Sequence, residues 1–564
     1  MDTQELLKKR LREAAPRSQG KRRWLFVPHD QLSAAIGPLS REDPSSLGIV
    51  LVEWTAWARR RPHHKQKLAL VWANQRWFAL EQAARGVAVR YLPTRRPLAE
   101  VLGEQARELG GLEMMEAAER EMRVELRPLV DSGALRVLPH EGWLTTRADF
   151  ARLKAPYRMD AFYRAVRQRT GILIDGESPL GGRYSFDGDN REKWQGLPPA
   201  PDPPTFPMDD IKREVCAFIE RDHARHPGTL DPASLPATHA DAEALWQWAL
   251  ADCMKHFGPY EDAMSTRSSG LFHTRVSALM NVHRILPARV VADVEAADLP
   301  LNSKEGFIRQ VLGWREFVRH VHDATDGFRQ LGKERVPVAP TPGDGGFARW
   351  AGEPWPQASV PEGVDGGAMP SHFDASEPLP PAYWGAESGL ACVDRVVTDV
   401  WREAWSHHIT RLMVLSNLAT LLDVSPRQLT DWFWVAYADA WDWVVEPNVL
   451  GMGTYAAGGV MTTKPYVAGS AYIDKMSDYC VTCAFNPKVD CPFTRLYWAF
   501  FARHEKKLEG NQRVAMPVRS LRQRAPAQRE HDERVFAITR ETLAAGRRLE
   551  PGDFPPPPQG TKNR

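Results

Sequence analysis

Cys480-Val481-Thr482-Cys483, followed after seven intervening residues by Cys491-Pro492, is the densest reactive pattern in the chain. Two thiols on one tight turn converge on a single centre, and a Cys-Pro step commonly closes an iron–sulphur ligand run. Three sulphur ligands require a fourth, and the candidates are Cys216, Cys253 and Cys392. Spacing alone leaves iron–sulphur and zinc open, with structural, ligand-free cysteines as the third reading. Disulfides are not suggested by six cysteines in a long chain of this kind. A second pattern is Ser265-Thr266-Arg267-Ser268-Ser269-Gly270-Leu271, expected to open the helix that carries Phe272-His273 and Ser277. Small residues let backbone amides approach a pyrophosphate at a helix N-terminus, with Arg267 adding charge. The third signal is tryptophan: 20 residues, against 12 Tyr and 21 Phe. Large flat ligands and electron-transfer chains use so many indoles, and Trp-rich helical packing is the competing reading.

These groups need elements to hold them. At 564 residues the chain is too long for one core and suits two to four units. Trp24–Pro28 reads as a buried strand followed by the turn His29-Asp30-Gln31, and Ile49–Val52 as a second strand ending at Glu53. A helical stretch over 64–85, a strand over Val87–Leu92 and another over Leu135–Leu138 complete the alternation of a parallel α/β domain, 24–150. Its ligand sites are expected beyond the carboxyl ends of the strands, where Asp30 and Glu53 stand. Residues 151–210 end in LPPAPDPPTFP, which cannot be helix and reads as a wrapping interdomain linker. From 211 to 530 the pattern is helical. Phe307, Val311, Trp314, Val318 and Val321 trace one apolar helix face. Residues 337–380, rich in Pro and Gly, are expected to form a long surface loop, and 531–564 a C-terminal segment with a disordered tail.

Charge excludes some functions. Lys plus Arg number 73 and Asp plus Glu 71, so the net charge is +2. Residues 1–24 hold eight Lys/Arg against three acids, so the other 540 sum to about −3. A polycation is excluded, and any nucleic-acid site is a local patch. The basic extension 1–23 reads equally as a solvated tail or a DNA arm. No apolar run approaches the ~18 residues that span a bilayer, and the charged start lacks the apolar segment of a secretory signal, so a cytoplasmic protein is expected.

Phe307-Ile308-Arg309-Gln310 with Gly313-Trp314-Arg315-Glu316-Phe317 resembles the flavin-lining helix of the photolyase/cryptochrome family. The Ser265–Leu271 segment is similar to that family's flavin-phosphate loop. Tyr437-Ala438-Asp439-Ala440-Trp441, Pro447–Met452, Lys464-Pro465-Tyr466 and Lys475–Cys480 resemble its bacterial iron–sulphur branch, also called prokaryotic (6-4) photolyases or iron–sulphur bacterial cryptochromes. The resemblance covers roughly 24–530. It implies a Rossmann-like α/β antenna domain followed by a large all-α domain that holds FAD and a 4Fe-4S cluster.

By that resemblance, Cys392 joins Cys480, Cys483 and Cys491 as cluster ligands. FAD contacts fall to Thr266, Arg267, Ser268, Ser269, Gly270, Asp439 and Asn448. The antenna 6,7-dimethyl-8-ribityllumazine falls to Asp30, Gln31 and Glu53. The family has Gly before that Asp; this chain has His29, which would crowd the chromophore. The loop from Cys483 to Cys491 is also short for the family. His407 and His408 match the lesion-facing pair, and Tyr466 a pocket tyrosine. Trp384 and Trp432 match the photoreduction path, with Phe433 where relatives often have Tyr, so Trp434 is a candidate for the terminal hop. The implied activity is light-dependent repair of (6-4) photoproducts in UV-damaged DNA by a monomeric bacterial enzyme. A blue-light sensor without repair is the alternative. A primase-like reading of the cluster region is disfavoured, because primase needs neither flavin loop nor antenna domain.

Overall fold

The computed structural model describes residues 5–14, 21–357 and 360–558. Five strands form one parallel sheet: β1 (Arg23–Phe26), β2 (Leu47–Trp54), β3 (Ala88–Thr94), β4 (Leu112–Met115) and β5 (Leu135–Leu138), in the order β3-β2-β1-β4-β5. All eight residues of β2 are buried, as a near-continuous apolar run demands of a strand covered on both faces. Strand parity divides it: Val50, Val52 and Trp54 join the large core, while Leu47, Ile49 and Leu51 join a second cluster with Phe78 and Ala79. Those last two lie on the helix Lys65–Ala84, which matches the helical stretch expected from sequence. Its first turn is closed by the His64 ring, which accepts from Gln66 N at 3.0 Å. Sequence reading passed over β4, whose four residues are too few and too Met-rich to stand out beside Gly110-Gly111. The strand order reverses at β1, so the crevice of this sheet opens between the carboxyl ends of β1 and β4.

The basic N-terminal segment is not a free arm. Glu5–Glu13 is a helix with Leu7 buried. Leu6 N donates to Glu214 Oε1 and Arg10 pairs with Asp210, which ties this helix to Lys65–Ala84 and to Asp210–Asp222. Residues 1–4 and 15–20, the rest of that extension apart from 21–23, lie outside the described residues, as does the expected tail over 559–564.

The proline-rich stretch 197–207 contains no helix, and Phe206 is buried against the core. Beyond it the chain is helical. Leu301–Ile308, Arg309–Arg315 and Glu316–Ala324 run on as one helix whose middle section is π-helical. Phe307, Val311, Val318 and Val321 are buried as the apolar rhythm requires, and Trp314 is partly buried. Three more π segments, Ala249–Cys253, Thr410–Ser416 and Pro447–Gly453, interrupt other helices. Such segments recur at functional sites because the widened turn re-aims side chains.

The surface loop expected over 337–380 is instead packed inward. Phe347, Trp355, Val364, Ala368, Phe373 and Leu379 are buried, and a short helix, Phe347–Ala351, lies within it. Gly345, at φ +59°, explains how it fits: a Cβ there would lie 2.5 Å from Trp432 N. Near the other end, the helix Pro526–Ala544 crosses the boundary expected at 530/531 and packs on Pro492–Arg503. Among the described residues no helix is long and apolar enough to cross a membrane.

Candidate active site

Arg411 and Asp439 form the charged centre of the helical domain. The guanidinium donates from Nη1 to Oδ1 at 3.0 Å and from Nη2 to Oδ2 at 2.9 Å. Ser277 Oγ donates to Oδ2 at 2.7 Å, and Asn281 Nδ2 donates to the Asp439 carbonyl at 2.9 Å. Burial by itself would push the Asp439 carboxyl up, but the Arg411 charge and these hydrogen bonds hold it below the usual carboxylate range. Arg411 is in turn seated over the Tyr437 ring at 4.0 Å, and its Nε donates to Ser406 O. Arg411 lies in the π segment Thr410–Ser416, and Asn448 lies in the π segment Pro447–Gly453, where its amide donates to Val444 O at 2.8 Å.

Three histidines adjoin this pair. His407 is buried, while His408 is exposed to solvent at a site where surrounding protein still lowers its pKa. His273 stacks on His407 at 4.5 Å and 12°. His407 Nδ1 and His273 Nε2 are buried without a hydrogen-bond partner. Burial holds all three rings below the ordinary histidine range, with the Arg411 charge adding to the effect, so each is neutral near pH 7. Sequence reading noted His273 only as part of the loop. Arg411 was missed, although it stands three residues after His408, on the same helical face.

The four expected cluster ligands line one cavity: Cys392 from the helix Ala391–Glu403, Cys480 and Cys483 from the turn, and Cys491 from the cap of Pro492–Arg503. Cys216 and Cys253 are elsewhere, the latter wholly buried. Burial pushes the Cys480 and Cys491 thiols up to about 11 and about 12, and Cys392 is raised further by burial and by the neighbouring sulphurs. Among the described residues no group of three or more His, Cys, Asp or Glu side chains is arranged to hold a single metal ion.

A (6-4) photolyase of Agrobacterium fabrum is 32% identical to this chain over 514 residues, which is 87% of this chain and 94% of that protein. This chain belongs to the photolyase/cryptochrome family. The model of the deoxyribodipyrimidine photo-lyase-related protein family matches residues 25–235. A Synechocystis cryptochrome has the same fold, with TM-score 0.52 and 13% identity over 95% of this chain and 96% of that one. A class III photolyase from Agrobacterium tumefaciens aligns over 96% of this chain and 95% of that one, at TM-score 0.49 and 14% identity.

In this photolyase-family chain the Ser265–Gly270 segment differs from the expectation in one respect. It is an irregular loop, and the helix that follows begins only at Ser277. Thr266 N and Ser265 Oγ donate to Asp478, Ser269 Oγ donates to Glu403, and Ser268 Oγ accepts from Leu271 N. Gly270 lies against the Arg275 guanidinium, 3.0 Å from where a Cβ would stand. Arg267 stays largely exposed over the Trp194 ring.

The three antenna candidates do not form one set. Glu53 is consumed by a bidentate pair with Arg76 (2.8 and 2.9 Å) and by the Tyr91 hydroxyl. Gln31 donates to Met115 O and Glu116 O across the crevice between β1 and β4. Asp30 is buried with both carboxylate oxygens unpartnered, and burial pushes its pKa up to about 7. His29 bonds Glu119 at 2.8 Å and packs between Trp57 and Trp441, at 5.3 and 5.1 Å. Asp30 thus fits a polar ligand and Glu53 does not, while Gln31 lines a small cavity with Phe26, Val27, Met114 and Met115.

Trp384 and Trp432 are both buried, at 3% and 0% exposure. Trp434, the expected terminal residue, is only 2% exposed and lies under the Arg61 guanidinium, so it opens no route to solvent. Tyr466 is half-buried beside Lys464. Its charged neighbours are Asp187, Asp160, Arg513 and Arg191 rather than the histidines.

Proposed function

We propose that this protein repairs (6-4) pyrimidine–pyrimidone photoproducts in DNA, using FAD and light. The similarity to a (6-4) photolyase over 94% of that relative's length carries the reading. The unpartnered nitrogens of His273 and His407, together with the accessible His408 ring, fit a pocket built to receive polar ligands. Arg267, Ser268, Ser269 and Gly270, with Thr266 beside them, would hold the diphosphate of FAD. Asp439, fixed by Arg411, and Asn448 would face its ring system. Bound reduced FAD supplies one electron to the lesion after light absorption.

The chain's own residues do the rest. A damaged base inside the duplex is unreachable, so it must be flipped out toward the exposed His408. A neutral His408 has to gain a proton before it can give one. A bound polyanion restores part of the positive charge that burial and Arg411 disfavour, so DNA binding raises the His408 pKa and arms it as the acid. His407, held by its stack on His273, orients its neighbour. Tyr466 contributes a hydroxyl at the rim. Cys392, Cys480, Cys483 and Cys491, which line one cavity, would hold a 4Fe-4S cluster. Asp30 and Gln31 are the residues left for a lumazine antenna, and Glu53 is excluded by its partners. The DNA substrate would place the protein in the bacterial cytoplasm, and nothing in the mechanism needs more than a monomer.

The test is repair of an oligonucleotide carrying one defined (6-4) photoproduct, by purified FAD-loaded protein under blue light with a dark control. Light-dependent restoration of the two pyrimidines is the expected result. Full FAD occupancy with no repair would transfer the protein to the photosensor class.

A further inference from the structure

Between Trp432 and the surface lies a continuous run of indoles. Trp432 meets Trp401 edge to face at 6.0 Å and 87°. Trp401 stacks on Trp384 at 4.8 Å and 23°, and Trp384 stacks on Trp350 at 5.7 Å and 21°. Each pair falls within ordinary aromatic packing range, so no single contact is diagnostic. What distinguishes the run is its end: Trp350 is 46% exposed. It stands on Phe347–Ala351, the short helix of the segment that Gly345 lets pack against Trp432.

The indole N–H groups separate the inner rings from the outer one. Trp401 Nε1 and Trp432 Nε1 both donate to the Tyr383 carbonyl at 2.9 Å, and Trp384 Nε1 donates to Gly345 O at 2.8 Å. A main-chain carbonyl accepts a hydrogen bond but not the proton itself. An oxidised inner indole therefore keeps its proton and its positive charge, and that charge remains free to move. The charge is also better hydrated at an exposed ring than at a buried one. Of the side branches, Phe347 and Phe433 are hard to oxidise, and the buried Tyr383 hydroxyl donates to Leu415 O. Tyr437 meets Trp432 at 6.0 Å, but it is buried with its hydroxyl against Ser406 Oγ and its ring under the Arg411 guanidinium, which disfavours positive charge there.

We propose that Trp350 is the surface terminus of the photoreduction path, reached from Trp432 through Trp401 and Trp384. This rests on the reading above, which puts the FAD ring system at Asp439: Trp432 meets Tyr437 at 6.0 Å, and Tyr437 lies under the Arg411 guanidinium that pairs with Asp439. One electron passes from Trp432 to the light-excited flavin. The resulting vacancy is filled in turn by Trp401, Trp384 and Trp350. Trp350 then releases its N–H proton to water and becomes a neutral radical. An external thiol returns one electron and one proton to it, and the thiyl radicals so formed pair as disulfide.

The experiment uses full-length FAD-loaded protein with a thiol reductant and a nitroso spin trap. Bound FAD, the rate of flavin photoreduction and the residue carrying the trap adduct, located by mass spectrometry, are measured together. In the wild type the light-dependent adduct is expected on Trp350. W350F should keep its FAD, lose that adduct and photoreduce about tenfold more slowly or worse. W350Y should recover most of the rate, because a tyrosine in contact with water can also give up an electron and a proton. W401F should resemble W350F. Wild-type photoreduction in W350F, at full FAD, would overturn the terminus. If W432F also photoreduces normally at full FAD, the placement of the flavin beside Trp432 fails with it.

Discussion

The imidazoles of His273 and His407 lie face to face, 4.5 Å apart and 12° from parallel, and each keeps one buried ring nitrogen without a partner. Leaving a buried polar atom unpaired costs about 1–3 kcal/mol, so two in contact mark a place kept for something other than packing. His408, next in sequence to His407, is exposed. His408→Ala should bind FAD normally and lose (6-4) repair by ~10²-fold or more, the usual loss with a general acid. Repair of cyclobutane dimers, which needs no net proton transfer, serves as the control. Equal repair by wild type and variant would remove His408 from the chemistry.

The pair formed by Arg411 and Asp439 predicts an asymmetry between single and double substitution. Arg411→Leu leaves the Asp439 carboxylate buried with the Ser277 hydroxyl as its remaining hydrogen-bond donor, and should cost about 3–5 kcal/mol of unfolding free energy. Removing both charges, in Arg411→Leu with Asp439→Leu, should recover much of that loss. Urea unfolding of the four proteins measures the cycle. Additive losses would show that the two side chains act separately.

Iron tests the cysteine cavity. Protein purified without oxygen should contain about four irons per chain if the cluster is of the 4Fe-4S type. Because the ligands come from the helix Ala391–Glu403, the turn at Cys480–Cys483 and the start of Pro492–Arg503, Cys480→Ser should lower folding yield as well as iron content. Stoichiometric zinc in place of iron would refute the assignment.

Asp30 predicts a pH dependence with a definite sign. Its folded pKa is raised to about 7 from an ordinary 3.8, so the folded state holds its proton over a range in which the unfolded state has lost it. The penalty is absent below the unfolded value, grows as pH rises and is complete above the folded value. Asp30→Asn lacks it. The stability advantage of Asp30→Asn over wild type should therefore widen between about pH 4 and 7, by up to ~1.4 kcal/mol per unit. Denaturation midpoints at pH 5, 6, 7 and 8 follow this directly. A difference that does not change with pH would mean that the carboxyl is not buried as described.

Much of this protein is legible in one dimension. The alternation of short apolar runs with a helical stretch identifies the parallel domain, and Leu135–Leu138 appears where its own pattern puts it. The spacing of Cys480, Cys483 and Cys491 predicts that these thiols gather, and they line one cavity. Such features depend on neighbours in sequence, and local periodicity records them faithfully.

What required the tertiary structure are the meetings of residues far apart in sequence. Asp30 and Glu53 stand at adjacent strand ends, yet only Asp30 keeps its oxygens free. Glu53 shares the parity of Ile49 and Leu51, so the pleat turns it toward Arg76 on Lys65–Ala84. The segment 337–380 has the composition of a surface loop. It packs inward because Gly345 can approach Trp432 closely, and that approach brings Trp350 onto Trp384. Composition and periodicity state which residues prefer burial. They do not state which distant face will bury them, because that depends on how whole elements fit together.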